Sequence, residues 1–202
     1  MRTISTVQDT RHVSAPSRRA LLTGTAVLAA WFAVMNVGSG VIASIAGYHG
    51  NSGMLFALSM SPGYGPAAAH GILTALGPQG RVADAVTLAA FDVAFPLLYG
   101  WVLSAALRKL TAGSRISTRM RTIVVRFPLV AVAANWLADA CIFTLIAAFP
   151  ASLGAVAAAA SVLTAIKLAV IGVSAAMVAV GVGTAAIMRI RRAAALRMAR
   201  PA

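Results

Sequence analysis

The sequence predicts an all-α, polytopic membrane protein with four transmembrane helices and a short helix at the outer, extracytoplasmic membrane surface. Of its 202 residues, 60% are hydrophobic and only 10% are charged, and the mean hydropathy is +0.87. A soluble domain would carry roughly a quarter charged residues. Four apolar runs are long enough, at about 1.5 Å per helical residue, to cross a hydrocarbon core of about 30 Å. These observations argue against a soluble protein.

The basic residues, which give a formal net charge of +13, cluster at the ends of the apolar runs. They gather before the first run, between the second and third, and after the fourth, whereas the other two connections hold only Arg81. This distribution is typical of topology signals facing anionic lipid, and it argues against a nucleic acid partner. It predicts a multi-pass protein of the inner (plasma) membrane with both termini and the basic loop in the cytoplasm.

The first element is a polar stretch, residues 1–19, which predicts a flexible cytoplasmic arm. The run SRRALLTG within residues 17–24 resembles a twin-arginine export signal. The apolar run that follows, residues 20–46, is longer than the apolar region of a signal peptide. We therefore expect it to be retained as the first span.

Residues 47–84 form the longest connection between spans. The prolines and glycines from Pro62 to Pro66 indicate a turn, and residues 66–77 can form a short helix that ends at Gly77. That helix is too short to span a bilayer, so we expect it to lie on the membrane surface and cap the bundle.

The second span is predicted at residues 86–107, and Asp92, Phe95, Pro96 and Tyr99 share one face of it. Proline in a helix interior removes a hydrogen bond and bends the helix. We therefore expect Pro96 to kink this span and to free a carbonyl group near Asp92 and Val93.

The third span, residues 127–149, carries Asp139 near its middle, with Asn135 one turn earlier on the same face. A carboxylate at that depth costs several kcal/mol unless it is neutral or paired. The fourth run, residues 155–188, is longer than a bilayer requires and must tilt or project. Residues 189–202 form a basic tail that we expect in the cytoplasm.

Depth predicts which polar side chains meet inside the membrane. Asp139 lies roughly 15 Å, and Lys167 roughly 18 Å, from the outer ends of their helices. The sequence therefore predicts an Asp139–Lys167 ion pair, with Asn135 and Thr164 as hydrogen-bonding neighbours; these four are candidate binding residues. The alternative is that such groups only hold helices together and fix their register.

Asp92 lies shallower, roughly 9 Å from the outer end of its span. We expect Arg81 to reach down towards it and Tyr99 to lie on the same face, under a roof formed by residues 66–77. Because ionisable groups within a membrane often mark a substrate or proton path, Asp92, Tyr99 and Arg81 are the candidate catalytic residues.

Four stretches of the chain resemble a family of small bacterial four-helix membrane proteins without an assigned activity. They are GYGPAAAHGILTALGPQGR, FDVAFPLLYGW, NWLAD and SVLTAIKLAV, within residues 62–170. The matching positions are Gly63, Tyr64, Gly77, Gly80, Arg81, Asp92, Phe95, Pro96, Tyr99, Ser161, Thr164 and Lys167. In the third span the family pattern DWLEN is replaced, with Asn135, Ala138 and Asp139 at its three polar positions. The resemblance implies the same topology and polar set, and it implies no reaction.

Three functions are compatible with this pattern. The first is a membrane protein that binds an apolar small molecule or a partner helix at an outward-facing polar pocket. The second is an intramembrane enzyme, of the isoprenoid or lipid cyclase or isomerase type, that uses Asp92 as general acid and base. The third is a proton-coupled carrier, which would need an oligomer. No motif for a cofactor or a metal is present, so neither is expected. Besides the lipid bilayer, a second copy of the chain or another membrane protein is a possible partner.

Overall fold

The computed structural model describes residues 16–51, 54–114 and 116–198, and these residues form an all-helical bundle. Four helical stretches are long and apolar enough to cross a membrane, which confirms the predicted fold class: Arg18–Ile45, Pro66–Thr111, Thr118–Ala148 and Gly154–Arg191. Most of the predicted N-terminal arm, residues 1–15, and the end of the predicted tail, residues 199–202, lie outside the described residues.

The helices are, in chain order, α1 (Arg18–Ile45), α2 (Ala57–Met60), α3 (Pro66–Thr87), a π-helical turn (Leu88–Asp92), α4 (Phe95–Thr111), α5 (Thr118–Arg126), α6 (Pro128–Ala148) and α7 (Gly154–Met198). Local sequence sets several of their starts. Ser17 caps α1 by accepting a hydrogen bond from the Ala20 amide at 3.1 Å, and Ser117 caps α5 in the same way. Pro66 and Pro128 occupy the first helical positions of α3 and α6, where a missing N–H costs nothing.

The short helix predicted over residues 66–77 is present and ends at Gly77, but a further helical segment follows it directly and leads into the second span. The expected surface helix over residues 66–77 is the first part of α3, which bends at Gly77 and continues towards the π-helical turn and α4. Gly77 has φ 65° and ψ −179°, a conformation that is essentially restricted to glycine. The backbone of Gly77 is not helical, so the first helical segment ends there, and Pro78 lies at the start of the second segment.

Helix α1 packs on α3 and α4, α4 packs on α6 and α7, and α6 and α7 pack together along much of their length. Two apolar clusters form the core. One includes Leu58, Leu88 and Ile142, and the other includes Tyr99 and Val170. Along α6 and α7, the buried polar residues other than Ser174 lie between the positions that build these two clusters. The bundle therefore encloses a polar layer between two apolar ones.

The connection between α1 and α3 is folded into the bundle. Residues 54–61, which we call the plug, include the single helical turn of α2 and contact α3, α6 and α7. Leu55, Leu58 and Ser59 are all almost fully buried. Irregular backbone at membrane depth is tolerated where protein surrounds it. The plug therefore lies directly against the polar layer, while the first segment of α3 packs against the ends of α6 and α7.

Candidate functional site

The candidate site is a cluster of buried polar side chains beneath the plug, and Ser59 lies at its centre. The Ser59 hydroxyl donates to Asp92 Oδ2 at 2.8 Å. Lys167 Nζ donates to the Ser59 hydroxyl oxygen at 3.0 Å and to the Ser59 carbonyl at 2.5 Å. One serine of the plug thus links the ammonium of α7 to the carboxylate at the end of the π-helical turn.

Asn135 joins the second carboxylate to the same cluster. Its Nδ2 donates to Asp139 Oδ2 at 2.6 Å and to the Asp92 backbone carbonyl at 3.4 Å. Within the described residues, the other oxygen of Asp139, Oδ1, is buried without a hydrogen-bond partner. Buried polar atoms are almost always bonded, so this oxygen has room for one more hydrogen-bond donor, such as a water molecule or a carboxylic acid proton.

The plug makes further polar contacts with the helices around it. The Phe56 amide donates to Asp84 Oδ1 at 2.8 Å, and Thr164 donates to the Leu58 carbonyl at 3.4 Å. Just beyond the plug, the Gly63 amide donates to the Ser161 hydroxyl at 3.0 Å. Polar groups of α3, the π-helical turn and α7 thus hold an irregular segment in place.

The backbone around Pro96 behaves as the sequence predicts. Pro96 has no N–H with which to bond the Asp92 carbonyl four residues earlier. The Asp92 carbonyl accepts the bond from Asn135, and the Val93 carbonyl accepts one from Trp136 Nε1 at 2.9 Å. The prediction that Pro96 releases a carbonyl from the helical hydrogen bonding near Asp92 and Val93 is confirmed, since side chains of α6 bond these carbonyls instead. The distortion itself lies just before Pro96, in the π-helical turn Leu88–Asp92. π-helical turns occur frequently at functional sites.

The cluster is closed in this conformation and has unequal numbers of acidic and basic groups. Asp92, Asp139 and Lys167 are each at most 4% exposed. One ammonium can neutralise one carboxylate, and an unpaired buried charge costs several kcal/mol. The charges of these three groups balance when one of the two carboxyl groups carries a proton. The arrangement can therefore hold a proton and a hydroxyl group side by side.

Of the three candidate catalytic residues, only Asp92 belongs to the cluster. Arg81 donates to the Leu73 carbonyl at 2.8 Å, and its guanidinium lies 3.9 Å from the centre of the Phe149 ring. The expectation that Arg81 reaches Asp92 is thus wrong, because the turn at Gly77 folds α3 so that Arg81 meets its own first segment. Tyr99 donates to the Ala131 carbonyl at 3.1 Å and thereby ties α4 to α6.

All four candidate binding residues are buried at this level of the bundle, but the predicted ion pair between Asp139 and Lys167 is replaced by hydrogen bonds from Lys167 to the plug. Asn135 and Thr164 are at most 1% exposed. Lys167 bonds Ser59 of the plug rather than Asp139. Lys167 and Asp139 lie in the same buried layer, as the sequence predicts, but Ser59 of the plug accepts the hydrogen bonds of the ammonium group.

Two residues of the site were not selected from the sequence, namely Ser59 and Asp84. Asp84 is one of only four acidic residues in the chain, and it is 2% exposed. Asp84 lies about two helical turns before Asp92, and this spacing could have indicated that the two carboxylates lie on the same side of the helix. Ser59 had only a weak signal, an apolar stretch (Met54 to Met60) too short to span the membrane.

Tyr64 follows the plug and lies outside the membrane-spanning helices. Its side chain packs against the apolar cluster around Leu58. Burial raises the pKa of Tyr64 to about 12, so its phenol remains neutral at physiological pH. Tyr64 therefore adds no charge next to the plug.

Comparisons with protein-family models, curated proteins and solved structures find no match to this chain. The resemblance to small four-helix membrane proteins therefore stays a prediction. Among the described residues, no group of three or more histidine, cysteine, aspartate or glutamate side chains could hold a metal ion.

Proposed function

We propose that this protein binds a small amphipathic molecule whose hydroxyl group occupies the position of the Ser59 hydroxyl, when the plug moves away from the polar cluster. The observation that carries the proposal is the pair of bonds made by the Ser59 hydroxyl, to Lys167 Nζ at 3.0 Å and to Asp92 Oδ2 at 2.8 Å. An ammonium donor and a carboxylate acceptor that share one oxygen would suit an alcohol group, which both accepts and donates a hydrogen bond. The apolar walls would take its hydrocarbon part.

The plug is suited to leave the site. Phe56 has φ 66°, a left-handed conformation that costs a bulky residue of the order of 1–3 kcal/mol. The plug is held by five hydrogen bonds, four of them to the charged groups Asp84, Asp92 and Lys167, and by the burial of Leu55 and Leu58. A ligand that replaces the Ser59 contacts and fills the space of these leucines would offset the cost of opening and so select the open state.

The sequence also left open a partner helix as the bound species. The geometry favours a small molecule, because the segment that now occupies the cluster contains a single helical turn, Ala57–Met60. The positive-inside pattern supports an orientation with both ends and the basic connection in the cytoplasm. In that orientation, the plug is reached from the outer side of a plasma membrane.

Photolabelling tests the proposal. The probes are a photoactivatable, alkyne-tagged hexadecanol and the matching alkane without the hydroxyl group, each added to the purified protein in phosphatidylcholine vesicles. We expect the alcohol, but not the alkane, to label the plug and the segments around Lys167. Lys167→Met should reduce this labelling severalfold. The control is Lys109→Met, which removes the chain's other lysine, an exposed one. Equal labelling by both probes, or no effect of Lys167→Met, would contradict the proposal.

The same observation favours a second candidate, an intramembrane enzyme with Asp92 as general acid or base. A hydroxyl group lies 2.8 Å from Asp92 Oδ2, which is within the distance required for proton transfer. Asp92→Asn keeps the shape and the hydrogen-bonding capacity but removes the titrating proton. In an enzyme it should abolish product formation while the bound alcohol is retained. A simple binding protein should lose only part of its affinity.

A further inference from the structure

A second site lies at the other end of the bundle, where the basic connection begins. A groove of about 550 Å³ runs between α4, α5 and α6. Arg108 and Arg126 line it together with Trp101, Ser104 and Leu129. It is separate from the polar cluster, so it does not depend on the function proposed above.

The groove combines a cationic end with an apolar floor. Arg108 is one helical turn, about 6 Å, beyond Ser104 along α4, and Arg126 ends α5. The stretch from Arg108 to Arg126 contains six basic residues and no acidic one. Trp101 and Leu129 are each about half exposed along the groove. An anionic head attached to a hydrocarbon chain would fit both parts.

The groove also contains a polar atom without a partner. The Ser104 hydroxyl is buried, and no group of the described residues bonds it. A second groove, of about 370 Å³ between α1 and α4, shares Leu97 and Trp101 with the first. Trp31 lines that second groove, and its indole Nε1 is also buried without a partner in the described part of the chain. Apolar space therefore continues from the arginines towards the middle of the bundle.

We infer that this groove binds an anionic glycerophospholipid. The phosphate lies between Arg108 and Arg126, and an ester carbonyl accepts a hydrogen bond from Ser104. An acyl chain follows Trp101 and Leu97 towards Trp31. Basic pockets between transmembrane helices on the cytoplasmic side bind anionic headgroups, and each basic residue near the surface strengthens such binding. The occupant is a lipid rather than free phosphate, because most of the groove below the arginines is apolar.

Native mass spectrometry of the purified full chain in detergent tests the inference, with dioleoylphosphatidylglycerol as the probe. Dioleoylphosphatidylcholine has the same chains without the net charge, and glycerophosphoglycerol has the charge without the chains. We expect one phosphatidylglycerol to be retained, with about tenfold weaker binding of phosphatidylcholine. Glycerophosphoglycerol should not compete. Competition by glycerophosphoglycerol, or equal retention of both lipids, would overturn the inference.

Two variants test whether the lipid binds in this groove. Arg108→Gln with Arg126→Gln should weaken phosphatidylglycerol binding about tenfold. The matched control is Arg119→Gln with Arg121→Gln, which removes the same charge from the same connection and should leave binding unchanged. Leu129→Trp keeps both arginines and fills the apolar part of the groove, so it should also weaken phosphatidylglycerol binding. If both arginine pairs reduce binding equally, or if Leu129→Trp has no effect, the lipid is not in the groove.

Discussion

At the residue scale, Ser59 connects a segment outside the spans to the charged groups within them. Its hydroxyl accepts from Lys167 and donates to Asp92, while its carbonyl accepts a second bond from Lys167. Hydrogen bonds to charged groups contribute about 1.5–3 kcal/mol each, more than bonds between neutral groups. The stability of the closed plug should therefore depend strongly on this one side chain.

Ser59→Ala should lower the free energy of unfolding by about 2 kcal/mol, because it removes bonds to both Lys167 and Asp92. The matched control is Ser174→Ala. Ser174 is fully buried, but its hydroxyl donates to the Val170 carbonyl within its own helix at 2.7 Å. Such back-bonding contributes little to stability. Melting in detergent measures both variants, and equal losses would show that Ser59 has no special role.

Lys167→Met should be more costly, about 3 kcal/mol, because it leaves buried carboxylates without their cation. Protonation of a carboxyl group would limit the loss. Asp92→Asn in the same chain should recover part of the stability, because the charge that needed Lys167 is then absent. The coupling is measured as a double-mutant cycle by denaturation in detergent. Simple additivity of the two losses would contradict the proposed linkage through Ser59.

At the element scale, the bend at Gly77 decides where the site lies. It lets α3 pack its first segment across the ends of α6 and α7, while the rest of the helix continues towards Asp92. Leu73 and Leu76 of that first segment are buried, and His70 stacks on Phe149 with ring centres 5.2 Å apart. Arg81, which follows the bend, lies over the same ring and donates to the Leu73 carbonyl, so it ties the two segments of α3 together.

Gly77→Ala should destabilise the protein by about 2 kcal/mol, because a Cβ atom strains a backbone with φ 65° and ψ −179°. Gly71→Ala is the matched control in the same helix. An added Cβ at Gly71 meets no atom within 4 Å, and helical alanine is favoured by about 0.5–1 kcal/mol. Thermal melting should shift in opposite directions for the two variants. A loss at Gly71 equal to that at Gly77 would contradict this account of the bend.

The fold and the location of the site differ in how much the sequence could predict. Four apolar runs and the basic connection were sufficient for the fold class, since burial in lipid leaves few alternatives to helices. Composition and depth also selected Asp92, Asn135, Asp139 and Lys167. The place of the plug was not predictable, because its eight residues carry no periodic pattern and their burial depends on contacts distant in sequence. Ser59 was missed for that reason, whereas the contact of Arg81 was missed because the turn at Gly77 brings Arg81 onto Leu73.

At the scale of the whole molecule, the charge distribution predicts which end of the bundle meets which side of the membrane. Single cysteines in a Cys141→Ala background test it. A cysteine at Ser152, in the turn between α6 and α7, should react with an impermeant maleimide in intact cells. One at Ser114, in the basic connection, should react only after permeabilisation. External labelling at Ser114 would contradict this topology and indicate the opposite one, with the plug on the cytoplasmic side.

The central claim is that the plug covers the polar cluster and leaves it when an alcohol binds. Leu58→Cys, in the same background, keeps Ser59 and places a thiol where Leu58 is 1% exposed. Met60→Cys is the control, because Met60 is 54% exposed. The measurement is the rate of maleimide labelling in vesicles with hexadecanol or with hexadecane. We expect rapid labelling at position 60 under all conditions, and slow labelling at position 58 that hexadecanol, but not hexadecane, accelerates. A position 58 thiol that reacts as fast as position 60 without alcohol, or that stays unreactive with it, would contradict the claim.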